Sequence, residues 1–169
     1  MKKLLLSALA MSALISTSSA QIFFEDFNSG IPGTFTLHNV DGNTPNTNVS
    51  ALTDAWNALT LDNRDAALST SWYTPAGTAD DWMVTPAIAI PNTTNDIALE
   101  WLAQAPDASF ADGLEVYVST TGTSVGDFSG PALYNTTAAG EAQTWTLRSV
   151  NLNANKGQTV YIAFRNNSN

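Results

Sequence analysis

Apolar and polar residues alternate in short runs along most of the chain after residue 21, and turn-forming residues separate the runs. In the clearest run, Leu114, Val116 and Val118 face one way and Glu115 and Tyr117 face the other. A period of two is the pattern of a half-buried β-strand. About nine short strands joined by turns predict one all-β domain, a β-sandwich or jelly roll. The predicted strands are 22–27, 34–38, 56–61, 66–73, 82–90 with a break at Pro86, 97–103, 114–119, 145–152 and 159–165.

The beginning of the chain follows a different pattern. Lys2 and Lys3 precede an apolar stretch that ends at Ile15, and small residues lead up to Ala20. This pattern is typical of a cleaved secretory signal. The apolar stretch, about twelve residues, is shorter than the roughly 20 that a membrane-spanning helix needs. We therefore predict a signal peptide that ends at Ala20, export of the protein, no transmembrane segment, and a single domain at 21–169.

The chain is acidic, since 15 Asp and Glu residues against 6 Lys and Arg residues give a formal net charge of −9. A surface of this sign repels the phosphate backbone of nucleic acid, so we expect no nucleic-acid partner. Calcium or a neutral partner such as a glycan suits the charge better, although acidity can also serve only to keep an exported protein soluble. The chain contains no cysteine, which excludes thiol catalysis and cysteine-ligated zinc.

Several segments, taken in order, resemble one family. The most specific is Asp80–Pro86, with the sequence DDWMVTP. Together the segments are similar to the cleaved-adhesin or choice-of-anchor J domains, MAM-like jelly rolls in large secreted surface proteins of Bacteroidetes that include the hemagglutinin/adhesin regions of gingipains. The resemblance covers residues 22–165 and implies a jelly-roll β-sandwich. The other matching segments are Phe23–Phe27, Gly30–Pro32, Asn39–Gly42, Glu115–Gly122, Asp127–Phe128, Trp145, Val150–Leu152, Gly157 and Val160–Arg165.

The sequence departs from the family pattern at a few points. Phe35 stands where the family has a tryptophan, and Asn39 replaces an acidic residue. The family pattern continues beyond the position of Arg165 with a final strand, which normally lies beside the first strand. We therefore expect a sandwich that lacks its last strand, in a chain that is the N-terminal part of a longer protein. The type IX sorting domain found in many such proteins would lie beyond this sequence.

Acidic residues within these segments are the candidates for a metal site. Glu25 and Asp26 are neighbours on a predicted strand, so their side chains point to opposite faces and do not form an acid–base pair. Calcium is easier to satisfy because it accepts carboxylate, amide and backbone oxygens in flexible geometry. The resemblance implies a structural calcium near the first strand with Glu25 as a ligand, and Asp41, Asp80 and Asp81 are the other candidates. Each also has a structural alternative, Asp41 as a turn residue and Asp80 or Asp81 as a cap where a strand begins.

A few other side chains are candidates for function. His38 is the only histidine, and no Gly-x-Ser-x-Gly motif accompanies it, so a hydrolytic triad is not predicted. Trp56 and Trp72 flank polar loops and are the tryptophans best placed to stack on a ligand such as a sugar. The alternative for both is burial in the core, which is the usual role of a tryptophan.

These observations favour a non-catalytic adhesion or binding module, secreted or held at the cell surface and stabilised by calcium. Its partner would be a host or matrix protein or a polysaccharide. The alternative is an accessory domain of a secreted hydrolase, a peptidase or glycosidase, whose catalytic part lies outside this chain. An enzyme in its own right is disfavoured because the sequence offers no pair of carboxylates and no triad for the chemistry.

Overall fold

The computed structural model describes residues 21–169, and the predicted signal peptide, residues 1–20, lies outside the described residues. Ten β-strands and three short 3-10 turns make up the regular structure of the described part, in which no helix has the length and apolar character to cross a bilayer. The strands are β1 (Thr36–Asn39), β2 (Asn57–Leu61), β3 (Arg64–Leu68), β4 (Asp81–Val84), β5 (Ile88–Ala89), β6 (Ala98–Ala103), β7 (Glu115–Ser119), β8 (Tyr134–Asn135), β9 (Thr146–Asn151) and β10 (Thr159–Asn166). The 3-10 turns are Thr47–Val49, Val125–Asp127 and Asn153–Asn155.

One layer of the fold is a continuous antiparallel sheet in the order β1-β4-β10-β7-β8, with β5 paired to the beginning of β10. β10 is the central strand, and its register sets Ala163 opposite Val84 of β4 and opposite Tyr117 of β7. Ile162 and Ala163, which point to opposite faces, are both buried. Burial on both faces explains why the sequence of β10 is an almost continuous apolar run.

The second layer consists of separate pieces. The hairpin of β2 and β3 turns at Asp62 and Asn63, whose φ angles of 49° and 61° give a tight two-residue connection. β6 and β9 form an antiparallel pair in which Trp101 lies opposite Arg148. In the described part of the chain, no ladder joins one pair to the other. The second layer is therefore held to the first by side-chain packing.

The main core lies between the two layers. Trp56, Leu99 and Trp101 pack against it from the second layer. The alternation predicted for β7 is confirmed, because Val116 belongs to this core and Tyr117 packs on the opposite face of the sheet. The buried residues of the main core are Ile88, Ile90, Leu114, Val116, Leu152, Val160 and Ile162. Those of the smaller cluster on the opposite face are Trp82, Val84, Phe128 and Ala163.

The predicted all-β sandwich is confirmed, but the predicted first strand, 22–27, is not a strand. Apart from Phe27, its residues make no backbone–backbone hydrogen bond within the described part of the chain. Phe27 has a φ of 59°, and its N–H donates to Glu25 Oε1 at 2.7 Å. Aromatic packing holds the segment in place. The ring centres of Phe23 and Phe27 lie 6.2 and 6.0 Å from the ring centre of Phe35. Alternation alone does not make a strand, because a strand also needs a neighbouring ladder.

Two other strands differ from the prediction. The strand predicted at 66–73 begins earlier, at Arg64, because the turn lies at Asp62 and Asn63, and it ends at Leu68. Beyond that point the backbone N–H of Ser71 donates to Asp112 instead of to a neighbouring strand. β8 was not predicted, because two residues are too few to show a period.

Candidate functional site

Asp81 is the first residue of β4 and Asp80 directly precedes it, so their side chains point to opposite faces of the sheet. Asp80 Oδ1 accepts hydrogen bonds from Arg165 Nε at 2.7 Å and from Trp82 Nε1 at 2.6 Å. The guanidinium of Arg165 also donates to Glu115 Oε2 at 2.9 Å and lies 4.8 Å from the centre of the Trp82 ring. The charge of Asp80 is thus compensated within the protein.

Asp81 lies on the other face and is only 3% exposed. Its Oδ2 accepts hydrogen bonds from the Tyr73 hydroxyl at 2.9 Å and from Ser69 Oγ at 3.3 Å. Its Oδ1 is buried and has no hydrogen-bond partner among residues 21–169. Burial raises the pKa of Asp81 to about 6, the hydrogen bond from Tyr73 opposes that change, and the negative charge of Asp41 adds to it. Burial, followed by the contact with Asp81, likewise raises the pKa of Tyr73 above its usual range.

The carboxylates of the other two predicted metal ligands, Asp41 and Glu25, accept hydrogen bonds from backbone N–H groups. Asp41 accepts the N–H of Asp80 at 2.5 Å through one oxygen and the N–H of Asn43 at 2.6 Å through the other. Asp41, Asp80 and Asp81 therefore meet at one end of the first layer. Glu25 binds the N–H of Phe27, and no hydrogen bond joins it to the other three. Within residues 21–169, no group of three or more His, Asp and Glu side chains is arranged to hold a metal ion.

A polar network behind Asp81 was missed in the sequence. Asn166, buried at the end of β10, donates to Ser69 Oγ and to Asp112 Oδ2, both at 3.3 Å. Asp112 also accepts the N–H of Ser71 at 3.0 Å and the hydroxyl of the same residue. These residues tie two separate loops, β3–β4 and β6–β7, to the end of β10. Their only signal in the sequence is a small polar residue just beyond a strand, which many surface loops share.

The two candidate tryptophans lie in different surroundings. Trp56 packs against the main core, and its Nε1 donates to the backbone oxygen of Asp81 at 3.2 Å. This placement favours the structural alternative for Trp56. Trp72 is 52% exposed, whereas its neighbour Tyr73 is 5% exposed and anchored to Asp81. Trp72 is thus the tryptophan whose ring is open to a ligand.

His38 has a structural contact. Its Nε2 lies 2.8 Å from the backbone oxygen of Thr123, in the loop after β7. The contact fastens this loop to β1 at the edge of the first layer. The same loop carries Phe128, which covers Trp82 on the outer face of the sheet.

The motif DDWMVTP forms β4 and its continuation, so its position in the fold is central. Trp82 packs on Tyr117 and Phe128 in the smaller cluster. Thr85 Oγ1 accepts the backbone N–H of Ile162 at 3.0 Å, which extends the contact between β4 and β10. The residues of the motif therefore build the sheet and the polar network at its end.

The sequence profile of the Cleaved Adhesin Domain family matches residues 20–168, which is nearly all of the chain outside the predicted signal peptide. This chain belongs to the cleaved adhesin family. The resemblance found in the sequence motifs is thereby confirmed. A comparison with curated protein sequences finds no match to this cleaved adhesin domain.

Three solved structures of cleaved adhesin domains are similar to this one. The K3 domain of Lys-gingipain from Porphyromonas gingivalis W83 is 22% identical with a TM-score of 0.64, over 89% of this chain and 91% of that one. The K1 domain of the same protein is 24% identical with a TM-score of 0.61, over 85% and 86%. The K2 domain of Lys-gingipain is 22% identical with a TM-score of 0.57, over 87% and 90%. At these identities the likeness shows the shared all-β fold.

Proposed function

We propose that this cleaved adhesin domain is a non-catalytic adhesion module that acts outside the cell, secreted or at the cell surface. The observation that carries the proposal is the family match over residues 20–168. Two of the polar side chains with catalytic potential have structural partners: His38 contacts the backbone oxygen of Thr123, and Asp80 pairs with Arg165. The partner is a host or matrix protein or a polysaccharide.

Surface binding tests this proposal. The exported protein is passed over immobilised fibronectin, immobilised collagen and an array of neutral and acidic glycans. We expect saturable binding to at least one of these surfaces, and the heat-unfolded protein is the control for non-specific adsorption. A folded protein that stays in solution on every surface contradicts the proposal.

We further propose that calcium stabilises the domain. Two features support this: Asp81 Oδ1 is a buried carboxylate oxygen without a partner, and Asp41 adds negative charge beside it. Oxygen ligands of this kind suit calcium, with backbone carbonyls or water completing the coordination. An ion that binds only the native state stabilises that state, so the melting temperature should rise in millimolar calcium and fall in a chelator. Equal melting temperatures in both, with no heat of binding on calcium titration, contradict the proposal.

We also propose that the domain is the N-terminal module of a longer protein. Within the described residues, no strand pairs with the backbone of segment 22–26. The edge of β6 away from β9 is also unpaired. Exposed strand edges are usually covered or paired in native proteins. A version extended by the polypeptide that follows in the gene should melt at a higher temperature and protect the amides of 22–26 from hydrogen exchange. Unchanged exchange at these amides contradicts the proposal.

A further inference from the structure

An open recess of about 390 Å³ lies in the loop between β1 and β2. We infer that this recess, together with Trp72, binds a neutral saccharide. The inference rests on the proposed adhesion function and names the chemical class of the ligand. The recess is lined by Asn43, Thr44, Pro45, Thr47, Ser50, Leu52 and Thr53.

The lining of the recess combines hydroxyl groups with apolar carbon. The hydroxyls of Thr44, Thr47 and Ser50 make no hydrogen bond to another residue in the described part of the chain. Leu52 is buried and Pro45 half-buried, so they supply an apolar floor. A sugar ring carries hydroxyl groups around its edge and C–H groups on its faces. The two parts of the lining match the two parts of such a ring.

The backbone of the exposed Trp72 is hydrogen-bonded to the loop that forms the recess. The N–H of Asn46 donates to the carbonyl of Trp72 at 2.8 Å, and the N–H of Thr74 donates to the carbonyl of Thr44 at 3.0 Å. Asn46 lies between Pro45 and Thr47, both of which line the recess. Tyr73 turns inward to Asp81, so the Trp72 side chain stays outside. An exposed indole on a backbone fixed by these contacts offers a face for stacking.

The net negative charge of the protein favours uncharged saccharides over anionic ones. No lining residue of the recess is charged. The whole chain carries a formal net charge of −9, which repels uronic and sialic acids and other anionic sugars. Because the recess offers hydroxyl groups and no cation, the ligand that fits is uncharged.

Calorimetric titration of the exported protein tests the inference, with maltohexaose, cellohexaose, mannohexaose and xylohexaose as the neutral probes and hexagalacturonate as the acidic one. We expect binding to at least one neutral probe. Trp72→Ala should weaken it about tenfold, which corresponds to an aromatic contact of about 1.4 kcal/mol. Thr47→Val should weaken it about fivefold by removal of one hydrogen bond. Phe110→Ala removes an aromatic ring that is 82% exposed in another loop and should leave the affinity unchanged.

Each alternative outcome overturns the saccharide site. Failure to bind any neutral probe does so, as does binding that both Trp72→Ala and Thr47→Val leave unchanged, or tighter binding of hexagalacturonate. Melting curves show whether the variants are folded, and Thr47→Val covers the case in which Trp72→Ala unfolds. If the protein adheres to fibronectin or collagen but binds none of the neutral probes, the saccharide site is wrong while the adhesion function stands. If it binds no surface and no probe, both fail.

Discussion

Replacement of Asp81 by asparagine removes a buried negative charge without changing the size of the side chain. The hydrogen bond from Tyr73 keeps an acceptor in the variant, because the amide oxygen takes the place of Oδ2. The amide nitrogen takes the place of Oδ1, which has no partner in the native protein. In a calcium-free solution we expect Asp81→Asn to lose a pH dependence of stability that the native protein shows.

The size of this effect follows from the pKa of the carboxyl group. Burial raises the pKa of Asp81 from 3.8 to about 6, so the native state holds the proton more tightly than the unfolded state. As the pH rises through this window, the unfolded chain ionises first and the native state loses stability. The contribution is constant below the unfolded pKa and above the native one. A difference of about two pKa units, at roughly 1.36 kcal/mol each, corresponds to about 3 kcal/mol as an upper bound.

Urea unfolding near pH 4 and pH 7 in a chelator measures the effect. The native protein should lose about 2 kcal/mol more than Asp81→Asn between the two pH values, because the unfolded carboxyl is already partly ionised at pH 4. The unpaired amide nitrogen of the variant costs the same at both, so it cancels from the comparison. Asp107→Asn, in an exposed loop, should follow the native curve. Parallel curves for the native protein and Asp81→Asn refute the reasoning. Excess calcium should reverse the sign, because a bound cation favours the ionised carboxylate.

Three further substitutions test the packing of the sheet by urea unfolding at pH 7. Ile162→Val removes one methylene group from the fully buried core and should cost about 1 kcal/mol. Thr85→Val keeps the shape but leaves the buried N–H of Ile162 without its acceptor, which should cost about 2 kcal/mol, so a smaller loss than that of Ile162→Val contradicts the hydrogen bond. Arg165→Leu leaves Asp80 and the buried Glu115 without their cation and should cost about 3 kcal/mol, and no loss would mean that the ion pairs contribute nothing net.

The alternation of apolar residues was sufficient to predict every strand that has a ladder partner except the two-residue β8. β7 is the clearest case, because Val116 and Tyr117 face opposite clusters as their positions require. The segment 22–27 has a similar pattern and was predicted wrongly, because a sequence pattern reports which face is apolar and not whether a neighbouring strand is present. Alternation therefore predicted the sandwich as a whole, but it could not show that segment 22–27 lacks a neighbouring strand.

The roles of the acidic residues were harder to predict. That Asp80 and Asp81 face opposite ways follows from their being neighbours on a strand. Which of them is compensated depends on Arg165, which is 85 positions away in the sequence. Asp81 accepts hydrogen bonds from the hydroxyls of Ser69 and Tyr73. No local sequence pattern predicts these contacts. Long-range partners, rather than residue types, decide what each carboxylate does.

Asp81 connects the interior of the sandwich to its exposed loops. Its backbone oxygen holds the indole of Trp56 in the core, and its carboxylate holds Tyr73, the neighbour of the exposed Trp72. A hydrogen bond to a charged acceptor is stronger than one to a neutral acceptor, so ionised Asp81 anchors Tyr73 more firmly than its protonated form. The same ionisation lowers the stability of the fold. A residue that costs stability while ordering an exposed loop is typical of a functional site, where stability is given up for a fixed geometry. In the proposed saccharide site, that geometry is the pairing of the Trp72 backbone with the loop that forms the recess.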